Sequence, residues 1–242
     1  MTKRGFYRKG VDDLKTIGLI GGMSWESSAM YYRLLNEKVQ QQLGGLHSAK
    51  CILYSVDFQE IEHYQANGQW QNAGEILAEA ALSLEKAGAD FIVICTNTMH
   101  KVMNVIETNV TIPILHIADA TAVQIQQARL QTIALLGTKY TMEQEFYKTR
   151  IEQFGINVIV PNDEERTVIN RIIYEELCLG KIERTSKEAY LQVIESLVKS
   201  GAQGIILGCT EIGLLIQQED VPVPVFDTTI IHALAAVDKA LK

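Results

Sequence analysis

Cys209 and Thr96 are the residues whose type and position best suit proton chemistry. Cys209 follows the apolar run Gly204 to Leu207 and opens the tripeptide Cys209-Thr210-Glu211. A thiol between a strand and a helix N-terminus has its pKa lowered by the aligned backbone dipoles. Cys209 is therefore expected to act as a base or nucleophile. The alternative is a buried, inert cysteine. Thr96 follows the run Phe91 to Ile94 and opens Thr96-Asn97-Thr98-Met99-His100. Its hydroxyl can donate a proton or a hydrogen bond but is a poor base; otherwise it is a helix N-cap. Asn97 and Thr98 carry donors suited to a carboxylate. Strand alternation points Cys95 away from Thr96, into the packing.

Other loops supply binding groups. Gly21-Gly22-Met23-Ser24 and Gly137-Thr138 offer backbone N–H groups to an anion, or are tight strand-to-helix turns. Neither holds a Walker A lysine, and the glycines miss the G-x-G-x-x-G spacing, so a nucleotide site has little support. His100 is expected to orient Cys209 or Asp57, or to cap and pack. Glu211 is a capping acid or a partner for a catalytic group, and Trp25 a lid or a core residue. The four cysteines form no C-x-x-C pair, and no His pair sits one helical turn apart; no metal site is expected.

Regular elements must hold these loops. Short apolar runs bounded by Gly or Pro predict buried strands at Thr16–Ile20, Cys51–Val56, Phe91–Ile94, Ile112–Ile117, Thr132–Leu136, Ile156–Val160, Gly204–Leu207 and Val223–Phe226. Helical periodicity predicts helices over Ser27–Leu43, Gly74–Ala87, Thr141–Phe154, Glu164–Leu179 and Ser186–Ser200. The order also repeats. Thr16-Ile17-Gly18-Leu19-Ile20-Gly21 resembles Thr132-Ile133-Ala134-Leu135-Leu136-Gly137, the segment around Phe91 resembles that around Ile205, and Ile112-Pro113-Ile114 resembles Val223-Pro224-Val225. Three similar segments in one order argue for a duplication. The expected fold is α/β: two pseudo-symmetric Rossmann-like subdomains with parallel sheets and the active site at their interface. The expected division is a tail over 1–13, a first subdomain over 14–115 plus 223–242, and a second over 116–222. Ligands of open parallel sheets bind beyond the carboxyl ends of the strands. The repeat register places Thr96 opposite Cys209 across such a cleft.

Composition narrows the partners. The chain has 242 residues, 47% of them hydrophobic and 21% charged, an ordinary globular balance. A net charge of -7 argues against nucleic acid and anionic membranes, and no apolar run is long enough to span a bilayer. Residues 1–13 lack the apolar stretch of a secretory signal, so a cytoplasmic location with reduced thiols is expected.

The anchors Ile17-Gly18-Leu19-Ile20-Gly21-Gly22-Met23, Thr96-Asn97-Thr98-Met99-His100 and Gly208-Cys209-Thr210-Glu211 resemble those of the aspartate/glutamate racemase superfamily. Gly22-Met23-Ser24-Trp25-Glu26 and Leu136-Gly137-Thr138-Lys139-Tyr140-Thr141-Met142-Glu143 look like its broad-specificity bacterial amino-acid racemases. The resemblance implies a homodimer and racemisation of a small amino acid without pyridoxal phosphate or another cofactor. One cysteine removes the α-proton and a second returns a proton from the opposite face. This chain departs from that pattern at Thr96, where the family has the first cysteine. Cys209 is thus expected to act on the L-enantiomer with Thr96 delivering the proton, and the activity to be lopsided. Asn97, Thr98 and the backbone N–H groups near Met23 and Thr210 would hold the α-carboxylate, and Thr138 is a further substrate-binding residue.

Some family members bind a distal carboxylate with an arginine after the second strand. Here no Arg or Lys lies between Cys51 and Glu85; Gln65 and His63 are the polar replacements, with Arg166 and Arg171 near a second basic position. Aspartate, glutamate or a neutral polar amino acid such as homoserine all fit. The competing readings are an amino-acid binding protein with a decayed site, and a cysteine-dependent isomerase or decarboxylase.

Overall fold

The computed structural model describes residues 14–242. The expected tail over 1–13 lies outside the described residues. Eight strands form two four-stranded parallel sheets. The first contains β1 (Ile17–Gly21), β2 (Cys51–Ser55), β3 (Phe91–Ile94) and β4 (Ile114–Leu115), in the order β2-β1-β3-β4. The second contains β5 (Thr132–Gly137), β6 (Asn157–Ile159), β7 (Ile205–Gly208) and β8 (Val225–Asp227), in the order β6-β5-β7-β8. The two orders are the same, as a duplicated chain requires. The helices are α1 (Trp25–Leu43), α2 (Phe58–Ala66), α3 (Trp70–Lys86), α4 (Met103–Glu107), α5 (Ile117–Gln127), α6 (Lys139–Glu143), α7 (Glu145–Glu152), α8 (Asp163–Glu175), α9 (Arg184–Lys199) and α10 (Thr228–Ala240).

The central strands β1, β3 and β7 are buried along their whole length, and β5 is buried beyond its first residue. Helices cover both faces of each sheet, so these strands need apolar side chains on both sides. One apolar cluster packs α3 against Ile20, Ile92 and Ile94 of the first sheet, and another packs α1 and α10 against Ile17, Leu19, Phe91 and Val93. The second sheet is sandwiched likewise: α8 and α9 contact Ala134, Leu136, Ile205 and Leu207, while α5 and α7 contact Ile133, Leu135 and Ile206.

Several expectations need correction. Residues Cys51 to Ser55 form an edge strand, not a buried one; Leu53 and Tyr54 are exposed. Residues 223–227, expected with the first subdomain, belong to the second sheet, where Phe226 pairs with Ile206 of β7. Only α10, which follows them, packs on the first sheet. In the mirror arrangement, α5 follows β4 of the first sheet and packs on the second. Each half therefore lends its last helix to the other. The strand expected over Ile112–Ile117 shortens to two residues because His116 starts α5, its ring accepting Ala118 N–H at 3.1 Å. The helix expected over Thr141–Phe154 breaks at Gln144, whose backbone is extended, giving α6 and α7. The one expected over Glu164–Leu179 ends at Glu175, followed by a 3₁₀ turn over Leu177–Leu179.

Candidate active site

The carboxyl ends of β1, β3, β5 and β7 meet at one cleft between the sheets. Met23, Ser24, Thr96, Asn97, Thr98, Thr138, Cys209, Thr210 and Glu211 line a cavity there, together with Gln65 from α2. Each half reaches into the other. Thr98 Oγ1 lies 3.1 Å from Thr138 Oγ1. On the opposite side, Ser24 donates to Glu211 Oε1 at 2.8 Å. The Ser27 hydroxyl donates to the Cys95 carbonyl at 2.9 Å, so it accepts from Thr210 Oγ1 at 3.0 Å. Hydroxyl bridges thus fasten the β3 loop to the β5 loop and the β7 loop to the β1 loop, as a pseudo-twofold arrangement predicts.

Cys209 sits on a less favourable electrostatic footing than its sequence position suggests. The segment after it is a 3₁₀ turn over Thr210–Leu214, too short to supply a helix dipole. Its thiol donates to Glu211 Oε2 at 3.0 Å. Burial, and then the Glu211 carboxylate, push the thiol pKa well above its ordinary value. The shift is thus opposite to the expected lowering: the proton is held on sulfur, with a carboxylate beside it. Glu211 is 7% exposed and joins Cys209 to Ser24, so it is a partner of the thiol, not a helix cap.

Thr96 faces the same cavity, and its hydroxyl has no hydrogen-bond partner among the described residues. Its carbonyl accepts from His100 Nδ1 at 2.9 Å. His100 Nε2 accepts Ile117 N–H at 3.2 Å. His100 thus contacts neither Cys209 nor Asp57; it ties the Thr96 loop to the first turn of α5. Asp57 caps α2 by accepting Gln59 N–H at 3.1 Å and stays outside the cavity. Cys95 is fully buried in the first-half core, which raises its thiol pKa far from any useful range.

The glycine loop is tighter than expected. Gly22 N–H donates to Ser28 Oγ at 2.8 Å, so it is not free for an anion. Trp25 is 68% exposed and flanks an outer groove with Phe58, Tyr174 and Leu179, which removes the core reading. Arg166 is tied to Glu143 and Asp163, and Arg171 to Glu175 and Glu176; neither lines the cavity. His63 is also outside it. No Arg or Lys among the described residues lines this cavity.

Sequence reasoning missed the outer wall, formed by Phe58, Ile173, Tyr174 and Cys178. Phe58, Ile173 and Tyr174 sit in ordinary amphipathic helices, where their pattern is the same as that of core residues, and Cys178 lies in the 3₁₀ turn after α8. It also missed Thr228, which holds Asn97. Burial pushes the Cys178 thiol up to about 12.

The comparisons with known proteins follow the same line. A family model described as Asp/Glu/Hydantoin racemase matches residues 20–236. A broad specificity amino-acid racemase of Bacillus subtilis is 26% identical over 233 residues, 93% of this chain and 98% of that protein. A crystal structure from Yersinia pestis, described as a candidate Asp/Glu racemase, has 62% identity and a TM-score of 0.89, covering 94% of this chain and all (100%) of that one. An aspartate racemase homologue from Pyrococcus horikoshii has 39% identity and a TM-score of 0.83, with 94% and 100% coverage. With its fold, its cleft and its length all accounted for in this way, the chain belongs to the Asp/Glu/Hydantoin racemase family and is an isomerase, a racemase.

Proposed function

We propose that this racemase inverts the α-carbon of an amino acid by proton transfer between Cys209 and Thr96, with no cofactor. The observation that supports it most is their placement. Each lies just beyond the central third strand of its own half, and both line one cavity. Inverting a stereocentre needs groups on both faces of the substrate. Cys209 takes the α-proton of the L-enantiomer, and Glu211 is placed to receive the thiol proton first. Entry of a substrate ammonium beside Glu211 adds positive charge and lowers the cost of a thiolate. Thr98, Thr138 and the backbone near Met23 and Thr210 hold the α-carboxylate, where negative charge develops in the transition state.

Thr96 makes α-proton exchange lopsided between the enantiomers, while an equilibrium constant of one keeps kcat/KM for inversion equal in the two directions. A hydroxyl with no basic partner among the described residues is a poor base, so exchange from the D-enantiomer is slow, and solvent must return the proton that Thr96 delivers. The substrate range includes acidic and neutral polar side chains; a cavity lined by no cation among the described residues favours the neutral ones. A cytoplasmic homodimer is part of the same proposal, and the exposed Leu53 and Tyr54 of the edge strand β2 suit a second copy.

The isolated Thr96 hydroxyl also gives weight to a second reading, an amino-acid binding protein whose chemistry has decayed. Proton NMR in deuterium oxide separates the two. Wild type incubated with a panel of L-amino acids is expected to erase one α-proton signal. Cys209→Ala is expected to slow that loss by about 10²-fold or more. Equal exchange in both proteins would remove Cys209 from the mechanism, and binding without exchange in wild type would favour the second reading.

A further inference from the structure

Asn97 lines the active-site cavity and is 3% exposed. Its Nδ2 donates to Thr228 Oγ1 at 3.0 Å. Thr228 is fully buried at the start of α10, and its hydroxyl donates to the Leu207 carbonyl on β7 at 2.8 Å. A threonine hydroxyl has one proton. With that proton on Leu207 O, Thr228 can only accept from Asn97. The amide must therefore present its NH₂ to Thr228, because the flipped amide would set a carbonyl oxygen against a lone pair. That leaves Asn97 Oδ1 buried and without a partner among the described residues. A buried acceptor with no donor is costly, and it becomes favourable when a ligand brings the donor.

We infer that Thr228 is a positioning residue that aims Asn97 Oδ1 at the α-ammonium group of the substrate, and so makes the site select amino acids over their deaminated counterparts. This rests on the racemase reading for the nature of the ligand. It revises the role expected for Asn97 from its sequence: the donor is already engaged, and the free atom is an acceptor. An ammonium group has three donors and no acceptor, which matches that atom. The chain of three groups also crosses the molecule. Asn97 follows β3 of the first half, Leu207 belongs to β7 of the second, and Thr228 begins the helix exchanged between them. The ammonium site is therefore complete only when the halves are docked.

Calorimetric binding tests this on the whole protein. The probes are L-aspartate, L-glutamate and L-homoserine, each paired with its deaminated form: succinate, glutarate and 4-hydroxybutyrate. Wild type is expected to bind at least one amino acid roughly tenfold or more tightly than its partner, the scale of one charge-assisted hydrogen bond. Thr228→Val keeps the shape and removes the hydroxyl; it is expected to shrink that ratio by about fivefold or more. Thr228→Ser is expected to restore it. In exchange assays Thr228→Val should raise KM and leave kcat within about twofold, because the interaction is present in ground and transition states alike. If Thr228→Val does not fold, Asn97→Ala reads the same ratio and should abolish the preference. An unchanged ratio in a folded Thr228→Val or Asn97→Ala, or a Thr228→Ser as impaired as Thr228→Val, would overturn the inference, as would wild type that shows no preference or binds none of the probes. Selective binding without α-proton exchange would uphold the ammonium site and reject the racemisation mechanism.

Discussion

Acid should unfold this protein through three histidines that the fold keeps neutral. His100, His116 and His232 are 3%, 7% and 0% exposed, and the His100 ring lies 4.6 Å from that of His116, tilted, and 5.9 Å from that of His232, edge-on, between centroids. In each ring one nitrogen already accepts a hydrogen bond. Ile117 N–H donates to His100 Nε2 and Ala118 N–H to His116 Nδ1. His232 Nε2 faces the Leu115 carbonyl, which can only accept, so Tyr31 donates to His232 Nδ1 at 2.9 Å. Protonating any of them loses a hydrogen bond and buries a charge. Burial, then the neighbouring Arg150 and His232, hold His116 down at about 3. Burial, then His100, hold His232 at about 3. Burial, then His116, hold His100 well below its ordinary value.

The native state therefore binds fewer protons than the unfolded chain from pH ~6.5 down towards ~3, and stability falls as the pH falls through that window. Between pH 6.5 and 5 His116 and His232 each remove about 1.6 kcal/mol, so the two together remove about 3 kcal/mol, and His100 acts in the same direction. That is a large share of the whole stability of a typical domain, about 5–15 kcal/mol. The carboxylates held low by their partners, Glu85, Glu145, Glu195 and Asp220, matter only below the usual carboxylate range, whereas Asp227, raised by burial, gains its proton first in the native state and opposes the histidine trend as the pH falls. Urea melts across the interval measure the loss, and His232→Gln, which cannot charge, should flatten the slope by one histidine's share. Stability that changes by less than one histidine's share would refute the argument that all three stay neutral.

Two further outcomes follow from the site. Thr96→Cys places a thiol on the second face and should raise α-proton exchange from the D-enantiomer by about tenfold or more, read from initial rates on each enantiomer; unchanged rates would mean that Thr96 does not face the reacting carbon. Gly22→Ala should destabilise the protein by at least about 2 kcal/mol in thermal or urea melts, because φ is +95° and the new Cβ would lie 2.1 Å from the Val56 carbonyl oxygen; a neutral effect would mean that the β1 loop can rearrange.

The duplication was legible because parallel strands buried on two faces need uninterrupted apolar runs. Those runs recur in order around Ile17 and Ile133, Phe91 and Ile205, and Ile114 and Val225. What stayed hidden is the exchange of helices. Ile117 to Gln127 and Thr228 to Ala240 are rich in alanine and small residues, so their packing face carries little hydrophobic contrast. Nothing local in either segment says which sheet it covers. The break at Gln144 was equally silent, since no Pro or Gly marks it.

At the site, sequence order placed the right loops in the cleft, because strand ends fix where loops go. It failed on electrostatics, because those depend on what lies opposite. Cys209 next to Glu211 reads as a helix start in one dimension. In three dimensions Glu211 turns back on the thiol and is itself held by Ser24 from the other half. The same contact that raises the thiol pKa supplies a proton acceptor within 3.0 Å. A thiol kept protonated is protected from stray alkylation and oxidation, which require the thiolate. Under the proposed mechanism it is released where substrate brings a positive charge. Thr96 has no such partner among the described residues, so under the proposed mechanism its half of the duplicated fold offers no good base. The fold stays two-sided, while under that mechanism α-proton exchange is faster from one enantiomer than from the other.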